Sequence, residues 1–586
     1  AGGLPARLTY FGRRAEVAGW SPSGKVLCVT LNYSTLPNRQ LIEVDIATRQ
    51  HELIPLSQAA QGCYDDSEQT LYFTRLPFQG SYVKRYKGGT AQNLWKFSAD
   101  QPEAIALTAD YPGTSANPMW YEGRLYFLSD RDGTMNIWSM DSSGGDLKQH
   151  TQHVGWDIQS ASLSNGRVVY QLGADIHLYT IADGIDRKLD ITLASDFDQM
   201  RERWIDEPLD YLTAAHLSPD GEHVVMTARG AVFVVPRKAG RLVEATHESS
   251  IRYRSARFMP DGKTVVALND ASGELEFWSM AANGLGAPKQ ITSDGTVFRF
   301  DGIPSPDGKL LAFDDKAQKL WIHDIERGAT ILVDSSITAE YSGIVWSPDS
   351  RYLAFVKGAH NFLGQIFVYD IEGKKTIPVT TDRFLDHDPA WSPNGKWLYF
   401  LSDRDFNTIV ANVWDLNQPF PLIDQMTKVY MLPLTKGLRS PFEADNELTP
   451  KQTEPEAGKG KSDSAGGVTI DFDGILERVM ETPVPAGNYS SLQVNDEQLY
   501  WLSWDNTSRG KRRLNTIEMK NDNAEVKTLA EDVGAFELSA DGKRMLIRKD
   551  KNLYVTSSQG TSNLDLGKSK LDLSDWAFSI NPAHEW

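Results

Sequence analysis

Strand-length apolar runs separated by short polar turns occupy most of the chain, and one phrase keeps opening them. It is an aromatic or apolar residue, then Ser-Pro-Asp-Gly or a near variant, then a strand. It stands at 20–24, 217–221, 258–262, 304–308, 346–350, 391–395 and, as a late variant, 538–542. Pro presets φ at the first turn position, Asp or Asn bonds back to the backbone, and Gly accepts the positive φ that follows. The run behind the turn, such as Trp397-Leu398-Tyr399-Phe400-Leu401, predicts one strand. Gln365-Ile366-Phe367-Val368-Tyr369-Asp370 predicts the next, and Lys375-Thr376-Ile377-Pro378-Val379 a polar outer one. The Asp or Asn positions 220, 261, 307, 349 and 394 are spaced by 41, 46, 42 and 45 residues. That is the length of a four-stranded propeller blade. So small a sheet cannot bury both faces alone and stacks against copies of itself, and radial closure protects its edges. The predicted fold class is therefore all-β, two β-propellers in tandem, in preference to a sandwich or an open repeat.

The runs fall into two groups. The first, less regular, passes through the Trp20 turn, Leu71-Tyr72-Phe73, Leu94-Trp95-Lys96-Phe97, Leu125-Tyr126-Phe127-Leu128 and Ile176-His177-Leu178-Tyr179. It predicts about four blades over 1–190. Four are few for a closed ring, so this propeller reads as incomplete at its N-terminal side. Residues 2–9 read as the outer strand of a blade whose beginning is absent. The second group, 209–573, predicts seven blades: five with clear turn phrases, a sixth at Gln498-Leu499-Tyr500-Trp501 and a seventh at Arg544-Met545-Leu546-Ile547. Residues 191–208 read as the crossover. Residues 437–467 are rich in Pro, Glu, Lys, Ser and Gly and almost lack strand formers. They bury too little to offset their ordering and predict a mobile insert.

Composition changes this picture little. The 16 Trp and 46 Gly suit strands and turns, and 586 residues exceed what one hydrophobic core holds. The net charge of -18 argues against nucleic acid and anionic lipid as partners. No apolar stretch is long enough for a membrane span. Residues 1–5 lack the charged and apolar regions of a signal peptide, while a removed leader stays open, so cytoplasmic and periplasmic placement both fit a soluble chain. Cys28 and Cys63 are too few for a disulfide framework or a zinc site and read as separate buried thiols. No cofactor and no metal is expected.

The chain carries no Gly-x-Ser-x-Gly elbow, no His-Glu-x-x-His, no Walker A loop and no Gly-x-Gly-x-x-Gly behind a strand. No catalytic residue is therefore assigned. Asp386-His387-Asp388 is the tightest His–carboxylate cluster and reads as a turn and blade-face hydrogen-bond set before a metal site. Asp130-Arg131-Asp132-Gly133 and Asp403-Arg404-Asp405 follow equivalent strands. They read as turns with local salt links, the Arg between the carboxylates arguing against calcium. Two basic pairs stand out against the acidic background, Arg13-Arg14 and Lys84-Arg85. Each reads as a solvated charge run or as an anchor. A guanidinium fork can hold a carboxylate by two parallel hydrogen bonds, which in a peptidase would fix a peptide C-terminus.

Several phrases together resemble the N-terminal region of the tricorn protease family: Arg7-Leu8-Thr9-Tyr10-Phe11, Val17-Ala18-Gly19-Trp20, Tyr86-Lys87-Gly88-Gly89-Thr90, Ser129-Asp130-Arg131-Asp132-Gly133, Pro483-Val484-Pro485-Ala486-Gly487-Asn488-Tyr489 and Arg548-Lys549-Asp550. The resemblance covers nearly the whole chain. It implies a six-bladed propeller, a seven-bladed one, then a mixed core interrupted by a PDZ domain, in serine peptidases that cut oligopeptides and form homohexamers. It implies that peptide enters through the seven-bladed propeller and leaves on the six-bladed side, where a basic pair fixes the substrate C-terminus. Arg13-Arg14 matches that pair best, with a shorter preceding loop, and Lys84-Arg85 is the second-choice neighbour. The first ring is then an incomplete six-bladed one. The family's catalytic Ser and His lie in the core beyond the second propeller. Residues 574–586 read as the start of a linker to that absent core, and His584 matches the linker rather than the catalytic histidine. The expected function is substrate gating and product exit for a serine peptidase, a hydrolase whose catalytic core this chain lacks. The expected partners are oligopeptides, the downstream PDZ and peptidase core, and copies of itself. The alternative is a non-catalytic β-propeller protein-binding module of a periplasmic accessory type.

Overall fold

In the computed structural model, which describes residues 5–78, 83–408, 423–444, 467–506, 510–560 and 562–585, the recurrent turn is built around its serine as much as around its Pro and Gly. Ser392 Oγ donates to Asn394 Oδ1 at 2.8 Å and accepts the Trp397 amide at 2.9 Å. Asn394 Oδ1 also accepts the Lys396 amide at 3.0 Å, and Gly395 takes a φ of 65°. The equivalent serine hydroxyl donates to a carboxylate at Ser218–Asp220, Ser305–Asp307, Ser347–Asp349 and Ser539–Asp541. Where Met259 replaces the serine, Asp261 alone accepts the amides of Lys263 and Thr264. The turn thus satisfies its own backbone donors before the next strand begins.

The chain divides into two compact units, Ala1–Ser195 and Asp196–Trp586. Each is a series of small antiparallel sheets with strands in sequence order. In the first unit, sheet 1 runs from Ala15–Trp20 to His51–Leu53, sheet 2 from Gln61–Tyr64 to Ile105–Ala106, sheet 3 from Ser115–Tyr121 to Lys148–Gln149, and sheet 4 from Ile158–Ser164 to Ile185–Lys188. In the second unit, sheet 5 runs from Leu212–Leu217 to Val243–Glu244, sheet 6 from Tyr253–Phe258 to Lys289–Gln290, sheet 7 from Ile303–Pro304 to Ala329–Ser335 and sheet 8 from Ser342–Trp346 to Lys375–Pro378. Sheet 9 joins Leu385–Trp391, Trp397–Asp403, Thr427–Pro433 and Met480–Glu481. Sheet 10 runs from Asn488–Val494 to Lys527–Glu531. Sheet 11 has three strands, Ala535–Leu538, Arg544–Lys549 and Asn552–Ser557, with only a bridge from Tyr554 to Lys570 where a fourth would lie.

The first strand of most sheets carries a β-bulge, and a left-handed residue sits in several of them: Asn117, Ser160, Ser255, Asp388 and Ser491, with φ between 49° and 60°. A bulge kinks the strand and re-aims its side chains. Here the bulges also tie neighbouring sheets together. Gln61 of sheet 2 accepts the Asn117 amide of sheet 3 at 2.8 Å, and Asn117 Nδ2 donates to the Ala161 carbonyl of sheet 4 at 2.7 Å. Asp388 of sheet 9 accepts the Ser491 amide of sheet 10 at 2.7 Å.

Apolar cores lie between successive sheets. Sheets 8 and 9 share Ala354, Val356, Val368, Leu398 and Phe400, and sheets 9 and 10 share Tyr399, Leu401, Leu499 and Trp501. In the second unit the last sheet meets the first. Leu546, Leu553 and Val555 of sheet 11 share a core with Leu217, Val224, Met226 and Phe233 of sheet 5. The segment expected to open a linker joins this core. Phe578–Ile580 pairs with Arg203–Ile205, and Trp576, Phe578 and Ile580 are buried against Phe233.

The first unit ends differently. The face of sheet 1 turned away from sheet 2 is lined by Val26, Cys28, Ile42 and Val44 and is covered by Leu8 and Phe11. On the same face Val17 and Trp20 are 68% and 62% exposed. Residues 5–9 make no strand, contrary to the outer-strand expectation for 2–9. They cover sheet 1 with side chains rather than adding to a ladder. Residues 2–4 lie outside the described residues, as do 445–466 of the expected insert 437–467. Residues 437–444 follow the third strand of sheet 9, and Val468 and Ile475 return to the core between sheets 8 and 9.

Candidate functional site

In the second unit the first strands, bulged in sheets 5, 6 and 10, turn polar side chains into a shared space. A cavity of about 550 Å³ is lined by Thr213 and His216 of sheet 5, Arg257 of sheet 6, Asp301 ahead of sheet 7, Gln493 of sheet 10 and Glu537 of sheet 11. A second cavity of about 430 Å³ also includes Arg257 and Asp301 and reaches Glu340 and Gly343, so the opening continues past sheet 7 to sheet 8. His216 Nδ1 lies 3.0 Å from Glu537 Oε2, which also accepts the Leu217 amide at 3.4 Å. Ser255 Oγ donates to Asp301. Gln493 is fixed at both ends, donating to the Phe536 carbonyl at 3.0 Å and accepting the Leu538 amide at 2.7 Å. The lining offers donors, acceptors and charges of both signs.

The two basic pairs fare differently. Arg13 and Arg14 stand exposed in the segment leading into sheet 1. Arg14 Nε reaches Glu16 at 3.1 Å with its side chain 83% exposed, so its guanidinium remains open to solvent. Lys84 and Arg85 converge on Asp157 instead. Arg85 holds it through two nitrogens at 2.8 and 3.3 Å and donates to the Gly133 carbonyl at 2.5 Å, and Lys84 Nζ lies 3.4 Å away. Asp157 also accepts the Met135 amide at 2.9 Å. Burial works against its charge, but Arg85 and that amide hold its carboxyl below the usual range. The Arg85 fork is thus occupied by a carboxylate of its own unit, and the two pairs have separate partners.

Residues 1–184 match the family model described as the tricorn protease N-terminal beta propeller domain. Residues 212–559, more than half of the chain, match that of the tricorn protease second beta propeller domain. The chain belongs to the tricorn protease family. It is all-β with two β-propeller domains. Tricorn protease homolog 1 of Streptomyces coelicolor is 28% identical over 613 residues, covering 100% of this chain and 56% of that protein. The tricorn protease homolog of Saccharolobus solfataricus is 27% identical, covering 100% of this chain and 52% of its own length. A crystal structure of the tricorn protease superposes with a TM-score of 0.65 at 20% identity, over 98% of this chain and 54% of that one, a likeness of fold. The chain spans about half the length of the curated relatives it matches.

In this tricorn-family chain the Asp386-His387-Asp388 cluster lies on the first strand of sheet 9 rather than in a turn. His387 Nδ1 is 3.2 Å from Asp388 and its Nε2 3.8 Å from Asp403. Burial disfavours the imidazolium, but the two carboxylates outweigh it and raise the His387 pKa to about 9. The fully buried Asp386 accepts from Ser402 Oγ and from Arg404 at 3.3 Å, and burial pushes its carboxyl up.

The arginines of the two Asp-Arg-Asp turns point inward. Arg131 packs over Tyr111, Phe127 and Trp138 and donates to Ser129 and Ser115 hydroxyls. Arg404 packs over Phe384, Phe400 and Tyr430 and donates to Ser402. Among the described residues neither arginine forms an ion pair with a carboxylate of its own turn: Arg404 reaches Asp386 on the neighbouring strand, Asp405 pairs with Lys428 at 3.4 Å, and aromatic faces carry the rest. The serines and aromatics two to four positions before each arginine were the sequence signal for this. Cys28 and Cys63 are free thiols, and burial pushes both up. Two histidines touch serine hydroxyls, His150 Nε2 at 2.8 Å from Ser139 and His584 Nδ1 at 3.3 Å from Ser249. Among the described residues neither imidazole is held by a carboxylate, and Ser139 is fully buried.

Proposed function

We propose that this chain is the peptide-handling part of a larger serine peptidase that degrades oligopeptides. The observation that carries the reading is the polar cavity built from the first strands of sheets 5, 6, 10 and 11 and continued past sheet 7. On this reading the seven sheets of the second unit are seven blades closed around an axis, and the opening along that axis sieves. An extended peptide passes between strands whose exposed groups exchange hydrogen bonds with its backbone, while a folded domain is too wide. The core shared by sheets 5 and 11 supports the closure. The nucleophilic attack itself falls to a Ser and a His base in the remaining half of the protein.

The four sheets of the first unit are read as four of six blades on the product side. Support comes from the apolar side chains left bare at both ends of the row: Val17 and Trp20 on sheet 1, and Val169, Ile176 and Ile185 on one face of sheet 4. Arg13 and Arg14 anchor the peptide C-terminus there. Their exposure favours them over Lys84 and Arg85, whose charge already serves Asp157. The domain limits follow the same reading: 1–190 and 209–573 as propellers, 191–208 as the crossover, and a peptidase core beyond 574–586.

The test uses the complete protease that contains this chain. Replacing Arg13 and Arg14 by Ala raises KM for peptides with free C-termini and leaves amidated peptides nearly unchanged. Equal effects on both peptide classes remove the anchoring role. The chain alone binds such peptides without turnover, and robust hydrolysis by pure material overturns the division of labour.

A further inference from the structure

Beneath sheet 4, on the face turned toward sheet 3, three side chains from separate segments meet. His177 sits on the third strand, Asp175–Thr180, and Asp186 on the fourth, Ile185–Lys188. Their register, His177 opposite Lys188 and Tyr179 opposite Asp186, places both on the same face as diagonal neighbours. His153 comes from the connection between sheets 3 and 4. Its backbone is held at both ends by the buried Asn136, which accepts the His153 amide at 2.9 Å and donates to its carbonyl at 3.1 Å.

His153 Nε2 lies 3.0 Å from Asp186 Oδ2, and His177 Nδ1 lies 3.3 Å from Asp186 Oδ1. One donor atom from each of the three residues falls within 4.8 Å of the others. An ion bound tetrahedrally at about 2.0–2.2 Å from nitrogen and oxygen ligands sets its ligands about 3.3 Å apart, and each imidazole already has one Asp186 oxygen near that distance, His153 facing Oδ2 and His177 facing Oδ1. The surroundings are sheltered: the His153, His177 and Asp186 side chains are 20%, 16% and 23% exposed.

The hydrogen-bond inventory points the same way. Tyr170 Oη stands 2.8 Å from His153 Nε2, so a phenol and a carboxylate both crowd one ring nitrogen. That nitrogen has at most one proton to give, or one lone pair. The phenol is also hydrogen-bonded to Asp186, so with a cation on the lone pair it keeps that carboxylate as its acceptor, a second-shell bond of the kind that orients metal ligands. Tyr170 also stacks on His177 at 5.5 Å between ring centroids, fixing the plane of that imidazole.

We propose that His153, His177 and Asp186 form a binding site for a divalent transition ion that prefers imidazole, zinc in the first instance, with a fourth position left to water. Two imidazoles and one carboxylate suit such ions better than calcium or magnesium, which seek oxygen ligands. The ion joins the outer strands of sheet 4 to the connection leading out of sheet 3, so its effect is on the first unit's stability.

The experiment uses the tag-free chain stripped with a chelator, then titrated with zinc ion against a chromophoric competitor, and with cobalt(II) for its visible absorption. The expected result is one saturable equivalent, a cobalt spectrum of low coordination number, and a higher melting temperature for the first unit. Asp186→Asn preserves shape and folds as judged by circular dichroism, yet loses the saturable site. Tyr170→Phe keeps the site but weakens it about tenfold. His360→Ala, at an exposed turn of the second unit, leaves zinc uptake unchanged. The proposal is overturned if the stripped chain takes up no saturable equivalent. It is equally overturned if binding survives undiminished in Asp186→Asn and in a His153→Ala/His177→Ala double variant.

Discussion

Sheets 4 and 11 each end a row of similar sheets, yet their outer faces have different fates. In sheet 11, Leu546, Leu553 and Val555 meet the core of sheet 5, and Trp576, Phe578 and Ile580 close over the junction. In sheet 4, Val169, Ile176 and Ile185 lie bare on the face opposite the sheet 3 contact, and Ile185 is 55% exposed. Both are built from the same strand–turn unit, so the unit itself does not decide whether an end is covered. What differs is what reaches the end face. In the second unit sheet 5 meets sheet 11 and 576–580 closes over the junction, while among the described residues of the first unit Leu8 and Phe11 cover part of the outer face of sheet 1 and the outer face of sheet 4 stays exposed. A blade is therefore an incomplete folding unit, and apolar area at a terminal face is a readout of what it expects to meet.

The sharpest way to break this contrast is Trp576→Ala. The indole is 3% exposed and packs against Phe233 at 5.1 Å between ring centroids. Its loss should destabilise the second unit by about 3–5 kcal/mol, read from urea denaturation, with the first unit's transition unmoved. An unchanged second transition would mean that the closing segment contributes nothing.

A smaller effect depends on pH. His387 has its pKa raised to about 9 from an ordinary 6.5. A raised folded-state pKa stabilises fully below the unfolded value and is lost as pH rises through the folded one. His387→Gln should therefore be less stable than the parent by up to about 3 kcal/mol near pH 6, and the gap should close above pH 9. A gap independent of pH would show that the imidazole is neutral between its two carboxylates.

Smaller again is the turn serine. Ser392→Ala leaves the Trp397 amide and Asn394 without their hydroxyl partner, at a cost of about 1–3 kcal/mol. The change is measured as a shift in the second unit's denaturation midpoint. The smallest is Ile185→Ser on the bare face of sheet 4. In this chain it should shift the first unit by less than about 0.5 kcal/mol. In the complete protease the same change should cost more if further blades cover that face.

The turns and the strands behind them were legible because Pro, Asp and Gly at fixed spacing admit few backbone shapes. The role of Ser218, Ser305, Ser347, Ser392 and Ser539 was on the page too, since the serine recurs with the Asp or Asn two places on. The bulges were not. Ser255, Asp388 and Ser491 hold positive φ without being glycine, and nothing local marks them. Arg131 and Arg404 read as turn residues with local salt links because each sits between carboxylates, while the serine two places and the aromatic four places before each carried the weaker signal of their inward packing. The segment 574–586 looked like a linker because Trp576, Phe578 and Ile580 are too few to read as a strand pair until Arg203–Ile205 is brought beside them. Lys84 and Arg85 looked like a free pair because Asp157 lies far along the chain.

Amide hydrogen exchange on this chain tests the proposed closure of the second unit, against the bare end faces of the first, most directly. The account expects the amides of sheets 5 and 11 to be as strongly protected as those of sheets 7 to 9, while the outer strands of sheets 1 and 4 exchange much faster than sheets 2 and 3. Early exchange of sheets 5 and 11, like the frayed ends of an open stack, would contradict it.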